Sequence, residues 1–115
     1  MTQEVTFGRW EDAGDGEWER EVVFHDNDLP SPTGEGPREY HAIIARVLVM
    51  PDGTAEAWDL QGTYWEKFSN VVLAERWVYE LVWAKGRSEV DRINRESRQE
   101  IAVINHINAG GVGCG

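Results

Sequence analysis

"ERWVYELVWAKG", Glu75 to Gly86, can be read in two ways. In twos, it sets Trp77, Tyr79, Leu81 and Trp83 on one side, as a strand does. At 3.6 residues per turn it belongs to an apolar helix that begins earlier, at "NVVLA". Length decides between them. From Asn70 to Lys85 the chain carries no Gly, Pro, Asp or second Asn, and strands usually stop near five or six residues. The β-branched and aromatic content (Val71, Val72, Trp77, Val78, Tyr79, Val82, Trp83) pulls toward strand. The helix reading is favoured, with Asn70 as N-cap, Lys85 in the last turn and Gly86 as the C′ residue. Such a helix is apolar around most of its girth, with a polar strip at Arg76 and Glu80, and must be covered on several sides.

Working outward, "SEVDRINRESRQEIAVINHIN" (88–108) predicts a second helix, opened by Ser88 and Asp91 in a capping-box-like start. Val90, Ile93, Ile101, Ile104 and Ile107 fall on one of its faces. Residues 109–115 read as a flexible tail.

Upstream, the period changes to two. "EVTFGRW" (4–10) and "WEREVVFHD" (18–26) read as strands joined by the turn material "EDAGDGE" (11–17). "NDLPSPTGEGPRE" (27–39) holds three prolines and reads as a long surface loop. "YHAIIARVLVM" (40–50) is a β-branched strand, "PDGT" (51–54) a tight turn, and "AEAWDLQGTYW" (55–65) the partner strand, interrupted near Gly62. The expected fold is α+β: a small antiparallel sheet of two hairpins, then two C-terminal helices, in one domain over 1–108.

The 115 residues carry a net charge of −10, unevenly spread. Residues 1–40 hold eleven acids against three arginines, a balance of −8; the remainder is at −2. This field repels nucleic acid and anionic membrane and favours a basic partner, so neither of the first two is expected to bind directly. Glu17, Glu19 and Glu21 sit at the centre of the acidic region. No apolar run approaches the ~20 residues of a membrane span. The acidic start does not resemble a secretory signal, and a cytoplasmic location, in the producing cell or a host, is expected.

Chemistry-bearing motifs are absent. Cys114 lies near the end with no base beside it in sequence, no serine sits in an elbow motif, and "GEG" (34–36) precedes a proline rather than a helix. "HDND" (25–28) lacks the glycine and glutamate of a calcium loop. His25, His41, His106 and Cys114 show no zinc-motif spacing, so neither metal nor cofactor is expected. Six tryptophans remain: Trp10, Trp18, Trp58, Trp65, Trp77 and Trp83. Core packing is the expectation for any one of them, with some forming an interface or ligand wall.

These readings point to a non-enzymatic acidic protein that works by protein–protein interaction with a larger, basic partner; a small phage-type inhibitor or anti-defence protein is one concrete form. The expected interface is Trp77, Tyr79, Leu81 and Trp83 with Glu17, Glu19 and Glu21, and the apolar helix predicts a homodimer. The alternatives are a structural assembly subunit, or a binder of nucleotide-like small molecules using Arg38, Arg46 and Arg87 with Trp58 and Trp65.

Overall fold

The computed structural model describes residues 3–29 and 38–108. In these, six antiparallel strands are followed by one helix: β1 (Gln3–Phe7), β2 (Glu11–Gly14), β3 (Glu17–Leu29), β4 (Arg38–Val49), β5 (Ala55–Asp59), β6 (Trp65–Phe68) and α1 (Val71–Asn108). The sheet order is β1-β3-β4-β5-β6, with β2 also paired to β3. Strands β1 and β2 therefore form one interrupted edge along the long β3, and the rest is a meander. The architecture is two layers, α+β, with the helix against one face of the sheet.

The α+β class is as the sequence predicts, but its parts differ. Residues 11–14 are strand rather than turn, because the reversal is compressed into Asp15 and Gly16, both at positive φ. The interruption expected near Gly62 is present and ends β5 at Asp59, with β6 starting at Trp65. At this break, the Asp59 side chain accepts a hydrogen bond from the Tyr64 amide at 2.7 Å, and Gly62 takes positive φ. Most of the expected loop 27–39 lies outside the described residues, with β3 running on to Leu29 and β4 starting at Arg38. The tail 109–115 lies outside them too. The Pro51–Thr54 turn is as expected: Asp52 accepts from both the amide and the hydroxyl of Thr54.

The helix reading of 71–84 is correct, and Asn70 caps it, its side-chain oxygen accepting from the Leu73 amide at 3.0 Å. The second helix does not exist separately. Gly86 does not terminate anything; α1 runs through it, and Ser88 lies mid-helix. The cause is tertiary. Ala74, Val78, Val82, Gly86 and Val90 recur every fourth residue as the stripe buried against the sheet, and Gly86 passes beneath the Phe24 ring. A Cβ there would lie 2.2 Å from a ring carbon of Phe24.

The sheet meets this stripe with Val22, Phe24, Ala45, Val47, Ala55 and Ala57, all buried. Alternation in β3 and β5 places Val22, Phe24, Ala55 and Ala57 inward, and register sets Ala45 beside Val22 and Val47 beside Ala57 on the same face. The core is made of valine and alanine with one phenylalanine, Phe24, and one leucine, Leu29. None of the six tryptophans is buried in it. Trp77 and Trp83 pack against its rim from α1, while Trp10, Trp18 and Trp65 are exposed. Small core residues draw the helix close to the sheet, and that leaves no interior volume for an indole.

Candidate functional site

The helix covers one face of the sheet, and the opposite face is where the residues singled out from the sequence converge. Direct cross-strand partners share a face. Register therefore aligns Glu21, Arg46, Trp58 and Trp65 in one row across β3, β4, β5 and β6. The adjoining row is Glu19, Leu48, Glu56 and Lys67. Past a bulge in β4 follow the pairs Val23–Ile43 and His25–His41. Ile43 is 44% exposed and Trp65 54%.

Charge on this face is organised around Arg46. Its guanidinium pairs with Glu19 and, at 3.2 Å, with Glu21. Hydrogen bonding to Glu19, with the charges of Glu19, Glu21 and Glu11, outweighs burial and holds the Arg46 pKa above its ordinary value. With Arg46 so engaged and Lys67 beside the Trp65 ring, the face presents indole and aliphatic surface within an acidic surround that also includes Glu4, Glu11 and Glu56.

Three of the five residues nominated for a small molecule are thus brought together: Arg46, Trp58 and Trp65. Arg87 is not with them. It projects from α1 and stacks on Trp83, 4.8 Å from the ring centre. Arg38 opens β4, its side chain outside the described residues. The nominated interface is also divided. Glu17, Glu19 and Glu21 lie along β3, the last two on the open face. Trp77, Tyr79, Leu81 and Trp83 do not form one side, because helical geometry splits them. Tyr79 and Trp83 make an edge-to-face pair at 6.2 Å, and Trp77 turns toward Phe68 at 5.5 Å.

Two polar assemblies escape the sequence reading. On the helix side, Arg20 lies between the rings of Phe7 and Trp10 and pairs with Glu75, tying the edge strand to α1. At the β5 end, Asp59 is 1% exposed, and Lys85 of α1 places its ammonium 2.8 Å from the free carboxylate oxygen, at an angle short of a good hydrogen bond. Burial opposes the charged carboxylate. The Lys85 ammonium and the amides of Tyr64 and Thr63 prevail and hold its pKa below the ordinary carboxylate range.

Lys85 also donates to Gln61 and borders a groove of about 380 Å³ with Tyr40, Ala42, Ile44, Leu60 and Glu89. That groove offers no uncommitted cation for an anionic ligand. Among the described residues, no group of three or more His, Cys, Asp and Glu side chains gathers as a metal site, and no helix is long and apolar enough to cross a membrane. No family model, no curated protein and no solved structure matches this chain.

Proposed function

We propose that this is a non-enzymatic binding protein that docks a larger, basic protein partner on the open face of its sheet. The observation that supports the reading is the row Glu21–Arg46–Trp58–Trp65, flanked by Leu48 and Ile43 and ringed by acids. Interfaces place aromatic anchors at their centre and charge at their rim, where charge steers association and is screened by salt. A nucleotide-like ligand is the weaker reading, since its phosphate has to displace two carboxylates from Arg46.

Trp65→Ala is expected to leave the unfolding free energy within about 0.5 kcal/mol of wild type, as for an exposed position. The same change is expected to weaken partner capture by about 2 kcal/mol or more, as at a hot spot. Neutralising Glu19 and Glu21 together should slow association and flatten its salt dependence. The decisive comparison is capture from the native host by wild type, by Trp65→Ala and by a helix-side control, Arg92→Gln. A partner retained equally by all three does not use this face, and the reading fails. A nucleotide that raises the melting temperature supports the small-molecule alternative instead. The structural-assembly alternative makes a second copy of the chain the rival occupant. It would sit over the exposed strip of Val72, Leu73 and Tyr79 on α1, and sedimentation at micromolar concentration distinguishes it.

A further inference from the structure

His25 and His41 are sixteen residues apart with no motif between them, yet the β3–β4 register sets them directly opposite each other on the open face. Their Nδ1 atoms face each other at 2.5 Å, with ring centres 4.8 Å apart and planes at 78°. The outer nitrogens are both engaged. His25 Nε2 lies 2.6 Å from the Thr6 hydroxyl, and His41 Nε2 lies 3.2 Å from Glu39 Oε2.

Proton accounting restricts this chain. A carboxylate only accepts, so His41 Nε2 carries a hydrogen, and when the ring is neutral its Nδ1 is a bare lone pair. In the neutral pair that lone pair accepts from His25 Nδ1–H, while Thr6 donates to His25 Nε2. The Thr6 hydroxyl can equally accept. When it does, His25 carries its hydrogen on Nε2, and two bare Nδ1 lone pairs converge on one point. A cation placed there relieves their repulsion.

We propose that the His25–His41 pair binds a divalent d-block ion of the kind that prefers imidazole, such as Zn²⁺ or Ni²⁺, through its two Nδ1 atoms. Ligating histidines characteristically donate their other N–H to a carboxylate or another oxygen, which fixes the ring and its tautomer. Glu39 and Thr6 already occupy those places. Tetrahedral ligands at ~2.0–2.1 Å from zinc stand about 3.3 Å apart, so the Nδ1 atoms must open by somewhat less than 1 Å. His41 can supply that movement, because its side chain is 49% exposed. Glu4, directly opposite His25 on β1, adds negative charge beside the ion. Two protein ligands leave two coordination positions for water or for a group brought by whatever docks on this face.

The test is a titration of the untagged chain with zinc chloride in a non-chelating buffer at neutral pH, following the histidine ring C–H signals by NMR. The His25 and His41 signals are expected to move together and saturate at one ion per chain or one per two chains, with His106 unmoved. His41→Gln should abolish the saturable shift, and Glu39→Gln should weaken binding about tenfold. His41 is exposed enough for the variant to keep the fold, and the wild-type ring shifts stand as a readout without it. Rings that stay unmoved at millimolar zinc overturn the proposal. So do shifts that persist unchanged in His41→Gln, or that arise only at carboxylates.

Discussion

Gly86→Ala is expected to destabilise the protein by about 3 kcal/mol, although alanine is the better helix former by about 1 kcal/mol. The added Cβ meets three carbons of the Phe24 ring at 2.2, 2.3 and 2.7 Å. Phe24 is fully buried and cannot swing into solvent. It is wedged edge-to-face against Trp83 at 5.5 Å and Tyr40 at 6.4 Å, so relief requires the helix to lift from the sheet. Urea unfolding measures the loss. Phe24→Leu should be less harmful in the Gly86→Ala background than in wild type, with a coupling of about 1 kcal/mol or more. If Gly86→Ala is as stable as wild type, the buried stripe of α1 does not run beneath Phe24, and the helix-on-sheet packing described above is wrong.

Lys85→Met is the second large effect, at about 3 kcal/mol near neutral pH, because it strands a buried carboxylate. Asp59 has no exposed side-chain surface, and its remaining support is the backbone turn that it caps. The pH dependence separates this mechanism from simple loss of packing. In wild type the folded-state pKa of Asp59 is depressed. Its contribution to stability is therefore present above the unfolded value, about 3.9, and is lost as pH falls through the folded one. In Lys85→Met, burial acts without its counter-charge and makes the ionised form the unfavourable one, so acid relieves the variant. The gap between wild type and variant should close as pH is lowered into the carboxylate range. A gap that stays constant from neutral pH to pH ~4 would falsify the buried-pair account. Asp59→Asn should cost less, since Lys85 keeps Gln61 and partial access to water.

Local chemistry in the sequence determined much of this molecule. The alternation of Val22, Phe24, Ala45, Val47, Ala55 and Ala57 specified strands with one inward face. The Asn70 cap and the unbroken run after it specified a helix starting where α1 starts. The concentration of acids in residues 1–40 specified the sign of the charge on β1, β2 and β3. Each of these signals is short in range, carried by residues a few positions apart.

What the sequence left open is set by residues far apart in the chain. Gly86 has the local character of a helix end, and only the Phe24 ring, 62 positions earlier, makes it a packing residue inside a helix. Asp59 looks like one more acid until Lys85 meets it. Glu21, Arg46, Trp58 and Trp65 become a row, and His25 and His41 a pair, through strand register, which no spacing along the chain encodes. The tryptophans were drawn toward the core by their hydrophobicity alone. The small side chains that let α1 approach the sheet leave them no room inside, and close packing moved them to the rim and the open face.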